Sequence, residues 1–189
     1  MSRVFQLSVL GGATQGILRP GPKRFWPRRS IPTKDGPRTG TRRVRAGSGG
    51  NRLAILVDTS ALYALIDASE PAHGAVAAAV RQAREALLLP ITVVPETDYL
   101  VASRLGVRVE LAMLRAVVSG ELRLEAVTAA DVARCVEIVD EHADSDIGFV
   151  DASLVALAER LGVTRVLTLD HRHFRMVRPR HCPAFELVP

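Results

Sequence analysis

A run of five apolar residues that ends in an aspartate constrains the fold of this chain more than any other stretch. Residues 53–57 read Leu-Ala-Ile-Leu-Val and lead into Asp58, after which Leu62, Leu65 and Ile66 fall at helical spacing. A strand is apolar on both sides when helices cover both faces of its sheet, as in parallel α/β sheets. Asp58 is therefore predicted at the carboxyl end of a buried parallel strand, where open α/β sheets bind their ligands.

Helical patterns alternate with short apolar strands along the rest of the chain. The patterns predict strands at 86–94, 122–127, 164–169 and 184–188, and helices at about 60–68, 73–85, 95–105, 110–119, 129–142 and 148–161. Thr59 or Ser60 is expected to cap the first helix, and Asp146 to cap the last. The alternation predicts a three-layer α/β/α sandwich with a central, mostly parallel sheet.

The basic character of the chain is confined to its first 52 residues. They hold 12 Lys and Arg and one Asp, a net charge of +11, whereas residues 53–189 hold 13 Arg and 19 Asp and Glu, a net charge of −6. Because residues 1–52 are rich in Gly, Pro and Arg, they bury too little apolar surface to offset the entropy of ordering. We predict a disordered basic extension over 1–52, with no role in the fold or an unspecific contact with RNA. Residues 53–189 should form one folded acidic domain.

The cysteines and the hydropathy pattern exclude several classes of protein. Cys135 and Cys182 are the only cysteines, and neither belongs to a CxxC motif or a Cys/His cluster. We therefore expect neither a disulfide framework nor a structural zinc site, and a reducing cytoplasm is the expected compartment. No apolar run approaches the ~20 residues that span a bilayer, so no membrane segment is predicted.

Four acidic residues stand at predicted boundaries between strands and helices. Asp58 and Asp170 directly follow apolar strands, Glu96 follows the second strand within a few residues, and Asp151 opens a helix. Each alone could be a helix cap, a first-turn acid or a turn residue. Gathered at one sheet edge, they would raise one another's pKa and resist joint ionisation. A divalent cation removes that cost, and oxygen ligands without thiolates select Mg²⁺ or Mn²⁺.

The segments that hold these acids resemble one known family. They read Leu-Val-Asp-Thr-Ser-Ala at 56–61, Val-Pro-Glu at 94–96, Phe-Val-Asp-Ala-Ser-Leu at 149–154 and Leu-Thr-Leu-Asp-His-Arg-His-Phe at 167–174. In order and spacing these segments resemble those of PIN-domain nucleases, and specifically of VapC-type toxins of bacterial toxin–antitoxin modules. The resemblance covers about residues 53–189. It implies a PIN-like fold and a Mg²⁺-dependent endoribonuclease that a VapB-like antitoxin keeps silent, with a homodimer as the expected assembly.

The resemblance also implies roles for individual residues. Asp58 and Asp151 would hold the metal most directly. Glu96 and Asp170 would complete the acidic pocket by positioning the metal and its water, and one of them could serve as general base. Three hydroxyl side chains would orient these acids, with Thr59 or Ser60 acting on Asp58 and Thr168 acting on Asp170.

A short basic run follows Asp170. His171, Arg172 and His173 belong either to a solvated loop or to a surface that contacts RNA phosphate beside the metal. Arg172 is the better candidate for the contact, because a planar guanidinium matches the geometry of a phosphate group. The run continues at Arg175, Arg178 and Arg180 and is the only Arg cluster of the acidic domain, so RNA is expected to be steered there.

Other classes of function remain open at this stage. The first is a catalytically inert PIN scaffold that acts only as a protein-binding module, although such a scaffold has no use for a costly cluster of acids. The second is a phosphotransferase with Asp58 as nucleophile, but such enzymes usually carry a second acid two positions later, where this chain has Ser60. A DNA nuclease of related fold is the third.

Overall fold

The structure, a computed structural model, describes residues 54–189. The predicted extension over 1–52 and its boundary with the domain lie outside the described residues. Five strands and seven helices follow one another in the described part: β1 Ala54–Val57, α1 Thr59–Ile66, α2 His73–Gln82, β2 Ala86–Pro90, α3 Val93–Arg104, α4 Val107–Ser119, β3 Arg123–Glu125, α5 Ala129–Glu141, α6 Phe149–Leu161, β4 Arg165–Leu167, α7 His171–Met176 and β5 Glu186–Val188. None of these helices has the length and apolar character needed to cross a membrane.

The five strands form one parallel sheet in the order β3-β2-β1-β4-β5. β1 lies at its centre, with Ile55 beside Leu87 on one side and beside Arg165 on the other. All strands point the same way, so their carboxyl ends share one edge. The predicted α/β sandwich with a mostly parallel sheet is confirmed, and within the described residues every strand pairing is parallel.

β1 is apolar at every position because both faces of the sheet are covered. Ile55 and Val57 belong to the larger core cluster, whereas Leu56 packs with Leu157 and Val163 in a second cluster. Successive side chains of a strand point to opposite faces, so the two clusters fill opposite sides of the sheet. Fully burying a side chain such as Leu56 contributes roughly 1.5–3 kcal/mol to stability.

The connections divide the helices between the two faces. α1 to α4 connect β1 to β2 and β2 to β3, while α5 and α6 return from β3 to β4 across β2 and β1. Right-handed crossovers then place α5 and α6 on the face opposite to α1–α4. α5 packs along α6, and α1 packs against both α2 and α3. The segments that follow β1 and β4 therefore meet at the carboxyl edge between the two layers.

Several predicted boundaries were wrong. The second strand ends at Pro90 rather than at 94, and α3 begins at Val93, two residues before Pro95. A proline in a first helical turn removes no intrahelical hydrogen bond, because the first four N–H groups have no acceptor within the helix. The segment after Asp170 is not a loop: it forms the short helix α7.

Two predicted helix caps were also wrong. Thr59 and Ser60 lie inside α1, with Asp58 at the N-cap position, and both hydroxyls are engaged elsewhere. Gly148, not Asp146, holds the N-cap position of α6. The hydroxyl groups expected to serve α1 are thus free to order carboxylates at the edge of the sheet.

Candidate active site

Asp58 is the first residue after β1 and is 5% exposed. Its N–H donates to the carbonyl of Leu167 at 3.0 Å, so the β1–β4 ladder extends to Asp58 and holds it beside the end of β4. Its side chain does not cap α1. Instead, Oδ2 accepts hydrogen bonds from Ser60 Oγ at 2.7 Å and from Thr168 Oγ1 at 2.8 Å.

Each of these two hydroxyl groups has its proton committed to Asp58. Ser60 Oγ accepts from the N–H of Leu169 at 2.9 Å, and Thr168 Oγ1 accepts from the N–H of Asp170 at 2.9 Å. A hydroxyl group has only one proton to donate. Because the backbone N–H groups of Leu169 and Asp170 are themselves donors, the hydroxyl protons of Ser60 and Thr168 are left to the carboxylate of Asp58. No hydrogen bond from residues 54–189 reaches Oδ1 of Asp58, so this oxygen is available to another ligand.

Glu96 reaches the same edge through Thr59. It lies in the first turn of α3, where the helix dipole favours an acid. Its Oε2 accepts a hydrogen bond of 2.8 Å from Thr59 Oγ1, the residue next to Asp58. Glu96 itself is exposed. Thr59 therefore ties α3 to the start of α1 and holds this carboxylate at the same edge of the sheet as Asp58.

Asp151 lies in the first turn of α6, and the negative charges of two other acids affect its pKa. Burial raises its pKa above the ordinary value of 3.8, and the charges of Asp58 and Asp170 raise it further. A hydrogen bond from the N–H of Gly148 to Oδ2, at 3.1 Å, and the nearby His173 act in the opposite direction without cancelling the rise. Asp58, Asp151 and Asp170 thus share one electrostatic environment at the carboxyl edge.

Asp170 and His173 form the outer side of this pocket. Asp170 is the N-cap of α7, and its Oδ1 accepts from the N–H of His173 at 3.2 Å. The ring Nδ1 of His173 lies 2.9 Å from Oδ2 of Asp170 and 3.6 Å from Oδ2 of Asp151, without the alignment of a hydrogen bond. His173 therefore stands between two carboxylates, a position that follows from its three-residue spacing from Asp170 on α7 and that the loop prediction missed.

The donor set is suited to a hydrated divalent cation rather than to a closed cage. Within residues 54–189, no three acidic, histidine or cysteine side chains stand close enough to enclose an ion. Mg²⁺, however, usually keeps several waters and needs only one or two protein carboxylates. The open Oδ1 of Asp58 is available to such an ion, and a cation bound there would offset the burial and the repulsion that raise the pKa of Asp151 and disfavour its ionisation.

The remaining candidates lie outside this group of contacts. Arg172 is exposed, whereas the ring Nε2 of His171 is buried and has no hydrogen-bond partner among the described residues. Asp144 and Asp146 are exposed ahead of α6. Asp98, two residues after Glu96, is half-buried, and its Oδ1 lacks a partner within 54–189.

Comparison with known proteins assigns a family to this fold and pocket. A family model described as the PIN domain matches residues 55–178, which contain all four acids. The chain belongs to the PIN-domain family. Ribonuclease VapC26 of Mycobacterium tuberculosis is 42% identical over 135 residues, which are 71% of this chain and the whole of the relative. The predicted resemblance to VapC-type PIN domains is thereby confirmed.

Two solved structures share the PIN fold. The M. tuberculosis toxin VapC20, described as cleaving the sarcin–ricin loop, superposes with a TM-score of 0.59 at 28% identity, over 63% of this chain and 92% of that one. DNA-bound VapBC of Salmonella typhimurium gives a TM-score of 0.50 at 17% identity, over 71% of this chain and 96% of that one. At that identity the second comparison shows the fold alone.

Proposed function

We propose that this PIN domain is a metal-dependent endoribonuclease of the VapC toxin type, which hydrolyses RNA phosphodiester bonds. The observation that carries the proposal is the buried carboxylate of Asp58, held by Ser60 and Thr168 within the electrostatic reach of Asp151. The ribonuclease and toxin names of VapC26 and VapC20 support the same activity.

In this proposal the four acids have two roles: two of them bind the metal and two complete the pocket around it. Asp58 and Asp151 would hold a divalent cation, Mg²⁺ or Mn²⁺, which would supply an acidified water and stabilise the charge that develops on the phosphodiester. Asp170 and Glu96 would complete the acidic pocket and orient a water, and either carboxylate would be able to accept the proton of that water. Ser60 and Thr168 fix the plane of the Asp58 carboxylate, while Thr59 fixes Glu96 beside it.

The substrate is proposed to approach along α7. Arg172 and Arg175 are exposed on this helix, and Arg178 is exposed just after it. These cations follow Asp170 within eight residues, on a domain whose net charge is otherwise negative, so they would concentrate RNA phosphate at this part of the chain. Arg172 is proposed as the principal phosphate contact. His171 and His173 flank it, and His173 also contacts two acids of the pocket.

The proposed partners are those of a toxin–antitoxin module. A VapB-like antitoxin is proposed to bind and silence the nuclease, and the DNA-bound VapBC structure with the same fold is consistent with that assignment. Two copies of the chain are proposed to associate. A cytoplasmic location, as expected from the sequence, belongs to the same proposal.

The direct test is metal-dependent cleavage by the purified full-length chain. Wild-type protein, Asp58→Asn, Asp151→Asn and the matched surface variant Asp144→Asn are incubated with total bacterial RNA, with Mg²⁺, with Mn²⁺ or with EDTA. Cleavage is expected in the wild type and in Asp144→Asn only when metal is present, and it should be lost in the two pocket variants. Equal cleavage by Asp58→Asn would overturn the site. A folded chain that cuts no RNA in vitro with Mg²⁺ or with Mn²⁺, and none when it is expressed in cells, would favour the inert scaffold.

A further inference from the structure

A hydrogen bond between two hydroxyl groups joins the start of α3 to the start of α6. Thr92 holds the N-cap position of α3, and its Oγ1 lies 2.6 Å from Oγ of Ser153 on α6. Ser153 is fully buried and Thr92 is half-buried. Among residues 54–189, no other hydrogen bond or ion pair connects Thr92 or α3 with α6. Loss of either hydroxyl group would leave the two helices without a direct polar link in this part of the chain.

The direction of this bond follows from the other contact of Ser153. Ser153 Oγ donates to the carbonyl of Val150 at 2.7 Å, three residues earlier in α6. A hydroxyl group has one proton, so Thr92 is the donor and Ser153 the acceptor of the bond between them. A threonine at an N-cap position usually accepts from an N–H of the first helical turn, but Thr92 makes no such bond. Its hydroxyl group thus serves the link to α6 and not the helix that it precedes.

Each end of the link lies close in sequence to an acid of the pocket. Glu96 follows Thr92 by four residues, in the first turn of α3. Asp151 precedes Ser153 by two residues and directly follows Val150 in the first turn of α6. Because the carbonyl of Val150 accepts from Ser153, two successive hydrogen bonds run from the start of α3 to the peptide group between Val150 and Asp151.

Asp151 has few other contacts that fix its position. Asp58 receives two hydroxyl protons and is held by the strand ladder. Asp151 accepts, among the described residues, only from the N–H of Gly148 at the start of its own helix, and Nδ1 of His173 lies 3.6 Å away without the alignment of a hydrogen bond. Apolar packing holds α6 as a whole, but hydrophobic contact has no preferred direction. A hydrogen bond depends steeply on distance and angle, so it restrains the first turns of α6 more sharply.

We propose that Thr92 is a positioning residue of the pocket, which through Ser153 sets the place of Asp151 relative to Asp58. Neither hydroxyl group would touch the cation. Metal sites need ligand distances within about 0.2 Å of their usual values, so a small displacement of Asp151 would lower the affinity for the ion. The inference rests on the proposed metal-dependent activity, and it assigns to the connection between β2 and α3 a part in how tightly the metal is held.

Binding of Mn²⁺ to the full-length chain, measured by titration calorimetry, tests this role. Thr92→Val keeps the shape of the side chain but removes the hydroxyl group. It should raise the dissociation constant about 10-fold, the lower end of the range for groups that orient metal ligands. Thr92→Ser keeps the hydroxyl group and should bind as the wild type does. The matched control is Thr164→Val, at a half-buried threonine that precedes β4 at the opposite edge of the sheet, and its affinity should also be that of the wild type.

A double variant separates positioning from a general loss of stability. Once Ser153→Ala has removed the acceptor, addition of Thr92→Val should weaken Mn²⁺ binding no further, because the bond is already absent. A purely structural role would lower the melting temperature of these variants and leave the dissociation constant of the folded chain unchanged. RNA cleavage by Thr92→Val should be reduced at low Mn²⁺ concentration and should recover when the ion is saturating.

The possible failures are distinguishable. Wild-type affinity for Mn²⁺ in Thr92→Val would overturn the inference and leave the proposed ribonuclease activity untouched. An equal loss of affinity in Thr92→Ser or in Thr164→Val would overturn it as well, since the effect would then not depend on this hydroxyl group. A wild type that binds no Mn²⁺ would instead refute the metal-dependent function, and the inference would fall with it.

Discussion

Thr168 donates its hydroxyl proton to Asp58, 110 residues earlier in the chain, across 2.8 Å. Both residues are buried, and the bond joins the carboxyl ends of the two adjacent parallel strands β1 and β4. Thr168 also accepts from the N–H of Asp170, so one side chain connects two of the four acids. The sequence suggested that Thr168 orients Asp170. In the structure the hydroxyl proton of Thr168 goes to Asp58 instead, and the bond between Thr168 and Asp170 is donated by the backbone N–H of Asp170.

Replacing Thr168 with valine should impair the pocket without unfolding the domain. Valine keeps the shape but donates no proton to Oδ2 of Asp58, which then loses one of its two hydrogen bonds. Loss of a group that orients a metal ligand typically costs 10- to 100-fold in metal affinity or activity, so RNA cleavage should fall by about that factor. Thr168→Ser keeps the hydroxyl and should restore most of the activity. Wild-type activity in Thr168→Val would show that the orientation of Asp58 is unimportant.

Asp151 should destabilise the metal-free domain at neutral pH. Its pKa is raised above 3.8, mainly by burial, so the folded state binds the proton more tightly than the unfolded state does. Stability is therefore lost as the pH rises through the interval from 3.8 to the raised pKa. Asp151→Asn keeps an acceptor for the N–H of Gly148 and carries no charge, so it should melt at a higher temperature than wild type at pH 7 in EDTA. The difference should vanish in acid.

Addition of Mg²⁺ should remove the destabilisation that the ionised pocket causes in the metal-free domain. The ion should raise the melting temperature of the wild type at pH 7, because it offsets the repulsion among Asp58, Asp151 and Asp170. In Asp58→Asn the shift should be much smaller. A lower melting temperature of Asp151→Asn than of wild type, in EDTA at pH 7, would contradict the electrostatic account of this pocket.

The amino-terminal cap of α5 should contribute measurably to stability. Thr128 Oγ1 accepts from the N–H of Asp131 at 3.2 Å, and Oδ2 of Asp131 accepts from the N–H of Thr128 at 2.8 Å. Thr128→Ala removes one half of this capping box and should lower the free energy of unfolding by about 1 kcal/mol in a urea titration. Ser119→Ala, whose hydroxyl lies at the exposed end of α4, is the control and should cost less.

The stability of the domain should depend on pH through Asp131 in the opposite direction to its dependence through Asp151, so that Asp131 stabilises the fold less in acid. Burial favours a raised pKa for Asp131, but hydrogen bonds from Thr128 and Arg160 outweigh it and lower the pKa below 3.8. The contribution is present above pH 3.8 and is lost as the pH falls through the lowered pKa. Urea titrations of wild type and Asp131→Asn should therefore converge in strong acid, and a constant difference between them at every pH would exclude this linkage.

A core substitution beneath β1 should be far more costly than one on the edge strand. Leu157 of α6 is fully buried against Leu56, so Leu157→Ala should lower the free energy of unfolding by about 2–5 kcal/mol. Leu124 on β3 is 45% exposed, and Leu124→Ala should cost well under half as much. Equal losses in the two variants would mean that the second core cluster contributes little.

Features that follow from the residue pattern of one strand or helix could be predicted from the sequence. The all-apolar β1 needs two covered faces, which predicted the parallel sheet and put Asp58 at its carboxyl edge. The end of β2 was not predictable in the same way, because Val93 and Val94 are β-branched residues that favour strands yet begin α3. α7 has six residues and a single buried side chain, too few for a helical period to be visible.

The contacts of the site depend on strand register, which no local pattern contains. Ser60 and Thr168 meet at Asp58 only because β1 pairs with β4 at Val57 and Leu167. His173 lies between Asp151 and Asp170 only because α7 is a helix. Val132, Val136 and Val139 have the spacing of a core face but are exposed, and only the packing of α5 on α6 distinguishes the two sides of that helix.

The order of the strands has a consequence for the synthesis of the protein. β1 emerges from the ribosome early, but its neighbour β4 and the hydroxyl of Thr168 are made more than a hundred residues later. Until then Asp58 has neither its strand partner nor its second proton donor, so a nascent or prematurely terminated chain carries an unassembled pocket. A cell that makes this protein meets a finished pocket only after translation has passed residue 170.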